Sequence, residues 1–256
     1  MQGPILITAF SSAGAAALFI LMGVSVLRRE VSDAMRAPNA AFAAWWILFG
    51  LEAATDAGRV ALGLSQVPNV AVYVFLARLK IVLAGAAVWA LARYVLYLWG
   101  ARRRFTWFIS VFAFLHAAYF LVAFQARLPA TIVVDVWAPR IVFHGGNFGP
   151  SLAPSLAFLG VFFYFLPPIA LAIAYLSLLK RLGSRIQKVR VVTIAVAILV
   201  FQAVGTIQFN PSTPADTPLF ALLPLINVVA AVMACSTFFP PAWLAKKLES
   251  ETAAPT

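Results

Sequence analysis

A single cysteine, Cys235, and two histidines, His116 and His144, are all that 256 residues offer to sulfur or transition-metal chemistry. One cysteine excludes an intrachain disulfide, and neither it nor the histidines form a metal-cluster spacing. Acid is scarce too: 8 Asp and Glu stand against 19 Lys and Arg, and charged residues make up 11% of the chain. An ordinary soluble domain carries roughly 25%, so the soluble class is excluded.

What fills the chain instead is apolar: 63% of the residues are hydrophobic and the mean hydropathy is +0.95. The basic residues lie in short clusters between apolar runs of about 20 residues or more, the length that crosses a bilayer core. A net charge of +11 would suggest nucleic acid in a soluble protein. Here it reads as a topology signal, and no nucleic-acid partner is expected. The expectation is an all-α integral membrane protein, multi-pass, in the inner membrane of the cell, with the lipid bilayer as its first partner.

Seven runs are expected as spans: 4–27, 40–64, 70–99, 105–125, 152–179, 189–207 and 218–238. The first run lacks a basic leader segment and is too long for a signal-peptide core, so it is expected as a retained helix. Arg28, Arg29 and Arg36, then Arg102, Arg103 and Arg104, then Lys180, Arg181, Arg185, Lys188 and Arg190, then Lys246 and Lys247 all fall on one side. The opposite loops carry only Arg127 and Arg140. The positive-inside rule then puts the N-terminus outside and the C-terminus in the cytoplasm. Residues 1–239 form the seven-transmembrane helix bundle, and 240–256 a short cytoplasmic tail whose Trp243, Lys246 and Lys247 suit the membrane interface.

Within this frame "SSAGAAA", Ser11 to Ala17, supplies small residues for close helix packing. Pro167, Pro168 and Pro224 are expected to kink the fifth and seventh helices. Trp45 and Trp46 are expected at the inner interface of the second helix. The segment 126–151 alternates β-branched and aromatic residues around "APR", which predicts a short extracellular β-hairpin between helices 4 and 5. It would serve as a lid over the bundle or as a plain connector.

The stretch "LEAATDAGRV" puts Glu52, Asp56 and Arg59 into an otherwise apolar helix. Steps of four and three residues place them within an arc of about 60°, on one face. Arg78 and Lys80 enter on the third helix about 200° apart, so only one of them can face the second helix. Arg78 is expected as the partner, with Lys80 snorkelling toward the interface. Two readings fit: an ion-pair network that only fixes helix register, or a polar site for a ligand, ion or proton. Asn227 and His116 are further mid-span polar residues, each suited to an interhelical hydrogen bond or to lining such a site.

No catalytic constellation is present. The last span has no lysine for a retinal Schiff base, one mid-span histidine does not make a haem site, and no nucleophile and base form a hydrolytic pair. Neither a cofactor nor an enzymatic activity is expected.

Two patches carry a resemblance. In "GNFGPSLAPSLAFLGVFFYFLPPIALAIAYLSLLKRLGSRIQKVRVVTIAVAIL" a span ends in a basic loop whose Gln187 precedes the next span. In "ADTPLFALLPLINVVAAVMA" Asp216, Thr217 and Pro218 open the last one. Together they resemble the seven-transmembrane sensor region of bacterial histidine kinases and cyclase-type signalling proteins. The resemblance implies a sensory input module that takes a small ligand or a membrane stimulus and couples it to a cytoplasmic output. No kinase, cyclase or coiled coil follows "FFPPAWLAKKLESETAAPT", so the output is expected from a cytoplasmic or membrane signalling partner. The rival readings are a small transporter or channel using Glu52 and Asp56, against which no inverted repeat is visible, and a structural subunit of a membrane complex.

The charge count makes the topology testable. In a Cys235→Ser background, single cysteines at Ser65 and Thr131 should react with an impermeant thiol reagent on intact cells. A cysteine at Ser184 should react only after lysis, and labelling it in intact cells would invert the assignment.

Overall fold

The computed structural model describes residues 3–64, 69–98, 100, scattered positions between 107 and 122, and residues 130–143, 166–209 and 218–238. Its helices are α1 (Gly3–Leu27), α2 (Asp33–Leu64), α3 (Val70–Leu98), α4 (Leu166–Ser177), α5 (Arg185–Phe209) and α6 (Leu219–Phe238). A short 3-10 turn, Leu178–Arg181, joins α4 to α5. Every described residue between 107 and 122 is also helical. Among the described residues three helices are long and apolar enough to cross a membrane: Gly3–Leu27, Val70–Leu98 and Arg185–Gly205. Large apolar side chains such as Phe10, Leu21, Phe75 and Ile173 point outward, as lipid-facing residues do, and the protein is a helical membrane protein.

The second helix begins at Asp33, seven residues before the apolar run expected from 40, and holds Pro38 inside it. The Met35 N–H bonds back to the Ser32 carbonyl at 2.8 Å, and Asp33 pairs with Arg36 across one turn at 3.2 Å. An acid in the first turn complements the positive end of the helix dipole, which lets polar sequence continue the helix beyond the apolar boundary. Asn39 then donates to the Val26 carbonyl at 2.7 Å, satisfying one of the orphan acceptors at the end of α1.

Glycine sets how closely α1 and α2 approach. A Cβ on Gly23 would lie 2.5 Å from Ile47 Cγ1 and 2.9 Å from the Ala43 carbonyl oxygen. A Cβ on Gly50 would lie 2.7 Å from Ile20 Cγ1 and 3.0 Å from the Ala16 carbonyl oxygen. The two contacts run in opposite directions along the chain, so the helices are antiparallel and touch backbone to backbone at both points. Ser11, Ser12, Ala15 and Ala16 of the small-residue stretch are buried on α1, consistent with close packing in lipid.

An aromatic cluster fills the space between α1, α2 and α5. The Phe19 ring lies 5.8 Å from Trp46, 4.9 Å from Phe49 and 5.7 Å from Phe201. Phe42 packs on Tyr94 of α3 at 4.6 Å, and the Tyr94 hydroxyl reaches the Tyr175 hydroxyl of α4 at 3.4 Å. Trp45 and Trp46 belong to this core, 4% and 1% exposed. Their rings have aromatic neighbours on adjoining helices. Arg190 of α5 donates to the Thr237 carbonyl at 2.7 Å, capping α6 with a cation where its dipole is negative.

Ala130–Val134 (β1) pairs antiparallel with Pro139–Phe143 (β2). The turn is closed by the Asp135 N–H on the Ala138 carbonyl at 3.2 Å. It therefore lies at residues 135–138 and not at "APR", because Pro139 opens β2, a position where the missing N–H costs no ladder bond. Pro139 seats on Gly63 near the end of α2, where a Cβ would be 2.8 Å from the proline ring. Pro224 lies inside α6, while Pro167 and Pro168 stand in the first described turn of α4. His116, His144, Asp216, Thr217 and the tail with Trp243, Lys246 and Lys247 lie outside the described residues.

Replacing Gly23 with valine should destabilise the protein by about 1–3 kcal/mol, since the new side chain meets the backbone of α2. Gly14→Ala, where nothing lies within 4 Å, should leave the melting temperature in detergent unchanged.

Candidate functional site

Glu52, Asp56 and Arg59 share one face of α2, and the antiparallel α3 brings its own stripe against that face. Tyr73, Ala77, Lys80 and Ile81 recur at helical spacing and are all buried. Phe75 and Val82 on the opposite stripe are exposed, and Arg78, half-buried, lies between the two stripes. Lys80 therefore meets α2, which corrects the expected snorkelling of Lys80. Its side chain is 4% exposed. A lysine this deep in the stripe finds a carboxylate nearer than it finds water.

The bonds form a path. Lys80 Nζ donates to Asp56 Oδ2 at 2.5 Å. Arg59 Nη1 donates to Asp56 Oδ1 at 3.0 Å, so one carboxylate serves two cations. Arg59 Nη2 donates to the Tyr73 hydroxyl at 2.9 Å, and that hydroxyl donates to the Pro139 carbonyl oxygen, also at 2.9 Å. The guanidinium carbon also lies 4.9 Å from the centre of the Tyr73 ring, within cation–π range. A strand outside the helices is thus joined, bond by bond, to an ion pair buried between two of them.

One turn earlier on α2, Glu52 faces a different neighbourhood. It lines a cavity of about 40 Å³ between α1, α2, α5 and α6, together with Ser12, Phe49, Asp56, Phe201, Gly205, Pro224 and Asn227. Small-molecule pockets occupy roughly 300–1,000 Å³, so this one has the size of a few waters or an ion. Asn227 Oδ1 is buried without a hydrogen-bond partner among the described residues. Asn227 is therefore gathered with Glu52 and Asp56, although in the sequence it stood alone on its helix. Among the described residues no group of His, Cys, Asp and Glu could hold a metal ion.

Sequence reasoning does not single out Tyr73, Ser12 or Pro139 for the site, and it turns Lys80 away from it. The spacing of Tyr73, Ala77, Lys80 and Ile81 could have revealed Tyr73 and Lys80, because it traces a single helix face. Nothing local marks Pro139, which reaches the network through its backbone. No family model matches the chain, and no curated protein is similar to it by sequence.

Replacing Asp56 with asparagine strips both cations of their counter-charge and should cost roughly 3–5 kcal/mol, the range for breaking a buried pair from one side. The double variant Asp56→Asn/Lys80→Met should recover part of that loss by removing the stranded lysine, while Arg59 still lacks its counter-charge. Thermal melting of the wild type, Asp56→Asn, Lys80→Met and their double variant measures both effects.

Proposed function

We propose that the chain is a non-catalytic input module of the receptor or sensor type, with seven helices in the inner membrane. On this reading the N-terminus and the strand pair are extracellular, and the basic loops and C-terminal tail face a cytoplasmic or membrane signalling partner. The observation that carries it is the continuous path from the Pro139 carbonyl through Tyr73 and Arg59 to Asp56 and Lys80. A stimulus that displaces the strands pulls on a hydroxyl whose other bond is to a guanidinium. Buried ionic networks settle in discrete arrangements, and helices carry such a change along their length. Glu52, Asp56, Arg59 and Asn227 form the input site, with Arg78 as a further candidate on α3. The resemblance to sensor regions of bacterial kinases supports the same reading.

A small transporter or channel is the second reading, favoured by the cavity that holds Glu52 beside Asp56. The two separate experimentally. Cross-linking in native membranes, followed by mild purification of the full chain, should recover a kinase, cyclase or response-regulator protein. The output of that partner should change in Tyr73→Phe, which keeps the ring and removes the hydroxyl between Arg59 and Pro139. Proton- or ion-driven uptake by the purified chain in liposomes, without such a partner, would instead establish the transporter.

A further inference from the structure

The cavity beside Glu52 offers a chemistry that the ion-pair network does not use. No hydrogen bond or ion pair to the Glu52 carboxyl is found among the described residues; only its backbone carbonyl is engaged, by the Thr55 hydroxyl at 2.6 Å. Across the same cavity stands the Asn227 amide, with its oxygen buried and unpartnered. An ionised carboxylate only accepts hydrogen bonds, and so does an amide oxygen. Two acceptors in one small enclosure call for a donor between them. A space of about 40 Å³ admits water, which needs roughly 10–15 Å³ and two or more polar partners.

We propose that this cavity is a hydrated proton-binding site, in which Glu52 takes a proton on its carboxyl oxygen from cavity water and releases it there again. In its acid form the Glu52 hydroxyl donates through that water to the Asn227 amide, and the orphaned oxygen gains its partner. Two opposed influences make the proton exchangeable. Enclosure by Phe49, Phe201 and Pro224 disfavours the charged carboxylate. Lys80 and Arg59 favour it, because Asp56 faces both of them and leaves a surplus positive charge. From the other walls, α1 contributes Ser12, α5 Gly205 and Phe201, and α6 Pro224 and Asn227, none of which carries charge. Proton uptake at Glu52 therefore changes the charge felt by the Asp56 network and couples protonation to the path that ends at Pro139.

The inference rests on the reading of this end of the bundle as the input site, but its test does not depend on signalling. The full chain, purified in lipid nanodiscs with its glutamate side-chain carboxyls labelled with carbon-13, is titrated by infrared difference spectroscopy. Glutamate occurs only at Glu30, Glu52, Glu249 and Glu251, so isotope labelling separates these groups from every aspartate. A protonated-carboxyl band that rises as pH falls, shows the isotope shift and is lost in Glu52→Gln is the expected result. In Asn227→Leu the same band should persist and move to the frequency of a less hydrogen-bonded acid, which keeps the test alive if Glu52→Gln does not fold. Identical difference spectra for the wild type and Glu52→Gln would overturn the proposal. So would a sodium-induced change at fixed pH that Glu52→Gln abolishes, since that assigns the cavity to a metal cation. A silent Glu52 leaves recovery of a signalling partner unaffected, and failure to find a partner leaves the titration unaffected.

Discussion

Asp56 holds two cations at once, and much of the described structure is arranged around that constraint. A carboxylate can do this because its two oxygens point apart: Lys80 takes one from α3, and Arg59 takes the other from the next turn of α2. Shielded from water between two helices, each charge becomes tolerable only in the company of the others. The geometry then dictates the register of α2 against α3, since sliding either helix by one residue rotates its charge off the shared face. It also dictates where Arg59 ends, and hence why Tyr73 stands between a guanidinium and a backbone carbonyl of β2.

How much of this was written legibly in the sequence depended on the kind of signal. Apolar runs located α1 and α3 within a residue at each end, because a bilayer demands unbroken hydrophobic length. The start of α2 was hidden by Asp33, Arg36 and Pro38, which read as loop chemistry although an acidic first turn suits a helix. The face holding Glu52, Asp56 and Arg59 was visible from spacing alone. Its partner was not, because a long lysine side chain ordinarily extends to water, and only the stripe of Tyr73, Ala77 and Ile81 fixes Lys80 on the inner side. Trp45 and Trp46 illustrate the same limit from the other direction: which side of a helix an aromatic pair faces is not legible locally, and only their contacts with Phe19, Phe42 and Phe201 show it turned to the core.

Rigidity and polarity are divided between the two ends of α2. Toward its start the helix is clamped by reciprocal glycine contacts with α1 and by the aromatic cluster, neither of which offers an alternative arrangement of similar packing. Beyond Gly50 the contacts become ionic and hydrogen-bonded, and ring packing yields to a small polar enclosure. The helix is thus a stiff rod whose far end carries the groups that can change charge or partner.

The separation of Asp56 from Lys80 by 24 residues bears on how the chain enters the membrane in the first place. During synthesis α2 emerges with Glu52, Asp56 and Arg59 before the lysine that completes the network exists. On the seven-helix reading proposed above, the bilayer would receive that helix alone at a steep cost, whereas α2 and α3 together present paired charges. Entry as a pair, with α2 retained in the aqueous shelter of the insertion machinery until α3 has followed it, is the order of assembly that these charges favour.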